Sequence, residues 1–323
     1  MRAVTAPTPG GVEALVVEDR PTPQPAPGEV LIRVTAAGVN RADLLQRRGL
    51  YNPPPGSTDI LGLECSGDIV SVGEGVTDLQ PGAQVCALLT GGGYAEYVSV
   101  PAGQVATVPV GISLTEAGGI MEVACTVWSN VFMMGKLQHG DTLLVHGGAS
   151  GIGTMAIQLG KAFGARVIVT VGSEEKAAFC RELGADVTIN YREQDFAEAM
   201  KESGEQADVI LDIMGAKYLA ANVSVLATAG RLVVIGMQGG TKAELNLGAL
   251  LTKRAAVMAT SLRARPVAEK SAIVSAMVAQ VWPLITDGTV RPVIHATYPL
   301  EDVRQAHQVL EDSSHSGKVL LTV

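Results

Sequence analysis

The sequence predicts an α/β protein in which a doubly wound parallel sheet is joined to a second, mainly β domain. Three observations carry that prediction. From residue 142 onward, short apolar runs alternate with helix-length amphipathic stretches, the texture of a parallel sheet wrapped by helices. The first third instead holds short β-type runs punctuated by Gly and Pro. The length of 323 residues exceeds one ordinary domain and suffices for two cores. With 47% hydrophobic but only 4% aromatic residues and 37 glycines, the composition suits small-residue packing of helices onto a sheet.

In the first third, residues 30–36, 67–72, 84–89 and 94–100 read as strands of a compact, partly antiparallel domain. The parallel sheet is expected to use 142–146, 166–170, 187–190, 209–212, 231–235 and 255–260, with helices near 152–163, 174–183, 196–201 and 218–226. Six strands with crossovers make a doubly wound fold. Beyond about residue 264 come a helix over 267–285, Gly288, a Pro-containing segment, a helix over 300–310 and a strand at 318–323. These closing elements show no strand-helix alternation of their own, so they are expected to return to the first domain. The expected division is 1–120 with 265–323, and 121–264 as an insertion.

A net charge of −8 leaves no basic face, and aromatics are too few for a base-stacking platform, so no nucleic-acid partner is expected. No apolar run approaches the roughly 20 residues that cross a bilayer, and the N-terminus lacks a basic region followed by an apolar core. The default expectation is therefore a cytoplasmic protein without a membrane partner. Cys65, Cys86, Cys125 and Cys180 lie far apart, with no CxxC pair and no Cys/His cluster at metal-ligand spacing. They are expected to be buried reduced thiols, and no metal site is expected.

The run TLLVHGGASGIGTMAIQLGKAFGA sets a glycine-rich turn between an apolar strand and a helix, the context that gives a dinucleotide fingerprint its meaning. Gly148, Gly151 and Gly153 let a pyrophosphate approach main-chain N–H groups, and Ala149, Ser150 and Ile152 complete the turn that aims a helix end at the anion. The spacing is GxxGxG, not the standard G-x-G-x-x-G, so the setting says more than the pattern. The structural alternative is a turn that only tightens strand-helix packing.

An NAD-specific site places an acid about twenty residues after the turn, at the end of the second strand. Here that strand runs into Val171, Gly172 and Ser173. Gly172 leaves room for a phosphate, Ser173 can donate a hydrogen bond and Lys176 can reach from the first turn of the next helix, so NADPH is the expected cofactor. Glu174 and Glu175 read as helix-start acids complementing the dipole. Lys176 has a structural alternative as a solvated helix lysine.

The segments GVNRADLLQRRGLYNPPPG (38–56) and ILGLECSG (60–67), together with GASGIG and SGKVLLTV, resemble the zinc-independent quinone oxidoreductases of the medium-chain dehydrogenase/reductase superfamily over essentially the whole chain. The resemblance implies a GroES-like catalytic domain formed from both chain ends, a Rossmann domain between them and an active site in the interdomain cleft. It also implies a homodimer joined through the Rossmann domain by edge pairing near 255–260. Carried over by position, Asn40, Tyr51 and Thr126 are implied to lie near nicotinamide and substrate. Ser173, Lys176 and Tyr191 are implied around the adenosine phosphate, and Met237 with Ser261, Leu262 and Arg263 along the cofactor groove. Zinc-dependent relatives carry Cys where this chain has Asn40 and His where it has Leu63, which leaves Glu64 alone.

Alcohol dehydrogenation needs a Lewis acid to polarise its substrate, whereas a quinone is already electrophilic. The implied function is therefore zinc-free NADPH:quinone reduction, with Asn40 holding the nicotinamide ribose or the substrate carbonyl and Tyr51 binding the carbonyl oxygen and relaying a proton. Structural alternatives stand beside both: Asn40 as a turn residue bonded to its own backbone, Tyr51 as an aromatic packed on the Pro-rich loop. His146 is expected to be structural, His307 and His315 to lie on the surface, and Arg41, Arg47 and Arg48 to form a solvated or ion-paired face. Trp128, Met133 and Met134 are expected to pack within a helix joining the domains. Rival functions are reduction of an enone or enoyl-thioester double bond and a non-enzymatic, structural or regulatory NADPH-binding protein.

Overall fold

A computed structural model describes residues 1–323. In chain order the elements are β1 (Arg2–Thr5), β2 (Val16–Asp19), β3 (Glu29–Val39), α1 (Arg41–Arg47), β4 (Glu64–Val72), β5 (Gln84–Leu88), β6 (Tyr97–Pro101), β7 (Val105–Thr107), α2 (Leu114–Ala117) and α3 (Met121–Val127). A π-helical segment, Trp128–Met134, leads to β8 (Thr142–His146), α4 (Gly151–Ala162), β9 (Arg166–Val171), α5 (Glu174–Glu182), β10 (Val187–Asn190), α6 (Phe196–Glu202) and β11 (Ala207–Asp212). Then come α7 (Leu219–Val225), β12 (Leu226–Val234), α8 (Leu247–Lys253), β13 (Ala256–Ala259), α9 (Val267–Thr286), β14 (Ile294–Pro299), α10 (Val303–Glu311) and β15 (Lys318–Thr322). The chain falls into two compact units: 1–125 with 262–288 and 292–323, and 126–261 with 289–291.

The second unit is built on a six-stranded sheet in the order β10-β9-β8-β11-β12-β13, every neighbour parallel. The chain winds outward from β8 through β9 and β10, then returns to its other side with β11, the Rossmann order with its switch point between β8 and β11. Helices cover both faces of such a sheet, so its central strands need apolar residues at successive positions. Leu143 to Val145, Val167 to Val169 and Val209 to Leu211 meet that need and are fully buried. Phe196 and Met200 of α6 complete the core on one side.

The first unit carries a seven-stranded sheet ordered β14-β15-β3-β4-β5-β7, with β6 also on β3. The long strand β3 serves several partners. It pairs antiparallel with β4 along one side, and on the other with β6 over its first half and β15 over its second. Register shifts near Ile32 and Ala36 bend it enough to do so. This pairing is the GroES-like, mainly β half of the fold.

One expectation fails at the closing segment, where strand-helix alternation does occur. The Pro-containing stretch holds β14, which pairs parallel with β15 across α10 as a βαβ crossover. Pro299 hid the strand, yet it sits at the last position of an edge strand, where a missing N–H is tolerated. The seven residues of α8 were also not anticipated. No helix is long and apolar enough to cross a membrane.

Candidate functional site

Most of the candidate cofactor residues of the second unit follow the carboxyl end of a parallel strand, the edge at which open α/β sheets bind ligands. The turn 147–150 follows β8, Gly172 and Ser173 follow β9, Tyr191 follows β10, Met237 lies beyond β12 and Ser261 beyond β13. Thr126 is apart from this edge, at the start of the unit, its carbonyl accepting from Asn130 Nδ2 at 2.7 Å.

At the glycine turn, Gly147 adopts φ +76°, a left-handed conformation that glycine alone takes without strain. Its importance was not read from the sequence, where attention fell on Gly148. A Cβ on Gly153 would meet the carbonyl oxygens of Gly147 and Gly148 at 2.3 and 2.4 Å, so turn and helix are pressed together. Gly148 N donates to Thr170 O at 3.0 Å and Gly153 N to the N-cap Ser150 Oγ at 3.0 Å. These glycines therefore provide space, while Gly151 and Ile152 open α4 with N–H groups that have no intrahelical acceptor.

After β9, Ser173 caps α5 by accepting from Lys176 N at 3.3 Å, which leaves its hydroxyl proton available to donate. A Cβ on Gly172 would lie 2.5 Å from Tyr191 Oη and 3.6 Å from Arg192 Nε. Burial and then the charge of Arg192 lower the pKa of Lys176. Two cations thus share one glycine corner, an arrangement that a phosphate would relieve. Arg192 was missed in the sequence; its adjacency to Tyr191 was the available signal.

In the first unit Asn40 is 9% exposed and lies within a buried charged group. Lys318 Nζ donates to Asn40 Oδ1 at 2.7 Å, and Asn40 Nδ2 donates to Glu64 Oε1 at 3.0 Å and Gly38 O at 3.2 Å. Lysine can only donate and carboxylate can only accept, so the amide orientation is fixed by its neighbours. Glu64 also pairs with Lys318 and accepts from Glu122 N at 3.0 Å. Burial, and then the Glu64 charge, push the Glu122 carboxyl up to about 8.

Tyr51 is partly exposed, with the Arg263 guanidinium 5.3 Å from its ring centre and donating to its carbonyl at 3.2 Å. Leu262 and Arg263 are both buried and belong to the first unit, whereas Ser261 belongs to the second. Tyr191 and Met237 are 47% and 61% exposed.

One surface expectation is corrected. His307 is fully buried, its ring between Tyr94 Oη and Arg47 at 3.4 Å each, and burial with the Arg47 charge holds it down to about 3. The signal was helical spacing, since Val303, Ala306, His307 and Leu310 form one buried stripe of α10. Of the two expectations for the arginine cluster the ion-paired one holds, as buried Arg47 shares Glu311 with the more exposed Arg48. His315 is partly buried, and all four cysteines are buried and outside any disulfide. His146 bonds Thr170 Oγ1 at 3.1 Å and Asn222 Oδ1 at 2.7 Å beneath the sheet edge.

The residues near Asn40 do not fit a zinc ion. Leu63 has no donor atom, Glu64 is engaged by an ammonium and two amide N–H donors, and no three His, Cys, Asp or Glu side chains are grouped to hold a metal.

Residues 26–110 match the family model for an alcohol dehydrogenase GroES-like domain, and 151–280 that for a zinc-binding dehydrogenase. A quinone oxidoreductase of Rattus norvegicus is 30% identical over 99% of this chain and 97% of its own length. The human synaptic vesicle membrane protein VAT-1 homolog is 30% identical over 97% of this chain and 84% of its own. The crystal structure of Escherichia coli quinone oxidoreductase complexed with NADPH superposes with a TM-score of 0.88 at 29% identity, covering 100% of both chains. The CurK enoyl reductase structure gives 0.87 at 26% identity, covering 99% and 98%.

Proposed function

Because this chain belongs to the quinone oxidoreductases of the medium-chain dehydrogenase/reductase superfamily, we propose that it transfers hydride from NADPH to quinones without a metal ion. The observation that carries this reading is the paired cation corner, Lys176 with Arg192 around Gly172, on the same sheet edge as the glycine turn. Gly151 and Ile152 N–H would hold the pyrophosphate, with Gly148, Ala149, Ser150 and Gly153 shaping the turn. Gly172, Ser173, Lys176, Tyr191 and Arg192 would hold the 2′-phosphate. Thr126, Met237, Ser261 and Leu262 are proposed to line the rest of the dinucleotide, whereas Arg263, expected with them, is turned to Tyr51.

Bound NADPH would supply the hydride, the one step for which the side chains offer no chemistry. Both Nδ2 hydrogens of Asn40 are already used, so its role narrows to accepting a hydroxyl, such as one of the nicotinamide ribose, at Oδ1. Tyr51 is proposed to bind the acceptor carbonyl oxygen and pass it a proton once the phenolate-like anion forms. The donor set around Asn40 and Glu64 supports a reaction without a Lewis acid. Two copies are proposed to pair through β13, an edge strand, with exposed Leu247 and Leu251 on α8 favouring an apolar partner surface.

The likeness to CurK enoyl reductase favours a second reading, double-bond reduction of an enone or enoyl thioester on the same fold. A non-enzymatic NADPH-binding protein, structural or regulatory, is the third, since a shared fold does not by itself fix an activity. Following NADPH absorbance with quinones, enones and a crotonyl thioester, with NADH in parallel, separates them. The proposal expects quinone turnover with NADPH preferred about tenfold or more. Turnover of thioesters alone supports the second reading, and tight NADPH binding without oxidation by any acceptor supports the third.

A further inference from the structure

Arg263 and Lys270 are two buried cations, 4% and 3% exposed, in the first unit. Their hydrogen-bond partners are carbonyls and a hydroxyl, not carboxylates. Arg263 Nε donates to Thr90 O at 2.7 Å and Nη1 to Tyr51 O at 3.2 Å, while Lys270 Nζ donates to the Thr90 hydroxyl and to Arg263 O at 3.4 Å. Arg263 Nη2 is buried with no hydrogen-bond partner at all. Lys270 stands in the first turn of the twenty-residue α9, where the helix dipole disfavours a cation. Burying a charge is costly unless it is paired, and a buried donor left unbonded adds to that cost. The Asp43 and Glu122 charges act on Arg263, and that of Glu122 on Lys270, but neither carboxylate is hydrogen-bonded to the pair, and partly exposed Tyr51 and Thr90 are its outer layer.

We propose that Arg263 and Lys270 form an anion-accepting subsite, and that the acceptors this protein takes are conjugated carbonyl compounds bearing a permanent carboxylate or sulfonate-type oxyanion. The acceptor part of this inference rests on the reductase reading above. A buried guanidinium donor left without an acceptor in the resting protein calls for an anion present in the ground state; an oxyanion formed only during reaction would leave it unbonded for most of each cycle. An anionic acceptor fits better than a cofactor phosphate. The groups suited to the dinucleotide phosphates belong to the second unit, whereas Arg263 contacts Tyr51 of the first and Lys270 contacts Arg263.

The test uses naphthalene-2-sulfonate, which cannot be reduced, titrated calorimetrically into the full chain, and separately compares 1,2-naphthoquinone with its 4-sulfonate as acceptors. Binding of the sulfonate is expected, weakened about tenfold or more in Arg263→Met and Lys270→Met but not in Arg265→Gln, whose charge already pairs with Glu269. The sulfonated quinone is expected to show a KM at least about tenfold below that of the neutral one, a margin that shrinks in high salt. Unchanged sulfonate affinity in the methionine variants overturns the proposal. So does a tenfold loss of NADPH affinity in Arg263→Met with sulfonate binding intact, which would assign the pair to a cofactor phosphate. Should those variants fail to fold, the wild-type comparison decides, since equal KM for charged and neutral quinones is fatal to the idea. Quinone turnover without sulfonate preference removes the subsite and spares the reductase reading. Arg263-dependent sulfonate binding without any quinone turnover does the reverse.

Discussion

The ammonium of Lys318 lies 2.7 Å from the carboxylate of Glu64, joining β15 to β4 across the intervening β3, with both side chains buried. Deleting one member strands the other as an uncompensated buried charge, at a cost of about 3–5 kcal/mol. Lys318→Met and Glu64→Gln should each lower the urea midpoint by that measure, and the double variant Lys318→Met/Glu64→Met should recover most of it. Additive losses in the double variant would mean that the pair is not coupled.

Gly153→Ala should disturb both the turn and its ligand. The new methyl would press on two carbonyl oxygens, so either the turn opens or α4 shifts. We expect a stability loss of about 1–3 kcal/mol and NADPH affinity reduced about tenfold or more, read by calorimetry. Undiminished NADPH binding would detach this turn from the cofactor.

Lys176→Ala and Arg192→Ala should each raise the KM for NADPH about tenfold while leaving that for NADH unchanged. Parallel increases for both cofactors would show that these side chains do not read the 2′-phosphate.

His146 links protonation to folding. Burial holds its pKa down to about 4 from the ordinary 6.5, so the folded form resists a proton that the unfolded chain accepts. The contribution is fully present above pH 6.5 and is lost as pH falls from 6.5 toward 4, by roughly 3 kcal/mol in all. His146→Gln removes that titration. The stability gap between wild type and variant should narrow across this window in denaturant titrations at stepped pH, and a constant gap would refute it.

The alternation of apolar runs and helices from Leu143 onward made the parallel sheet legible, because strands buried on both faces must be apolar at successive positions. β14 was obscured because a strand exposed on one face alternates, and prolines at 292 and 299 masked that alternation. Asn40 was legible as a special residue, but its partner was not, since Lys318 reaches it from 278 residues away. Separations of 260 and 212 residues likewise hid the meeting of Arg47 with His307 and of Arg263 with Tyr51. Gly172 and Lys176 were readable because their setting is local, a strand end followed by a helix start.

The central position of β3 has a consequence for how this chain is made. Its second half must wait for β15, about 280 residues later in synthesis, before its edge is covered. The inserted sheet around β8 has all its strands by residue 259 and can collapse on the ribosome first. Until translation passes residue 322, the amino-terminal half stays an unfinished template with a bare strand edge. A chaperone or a neighbouring nascent chain would meet it there.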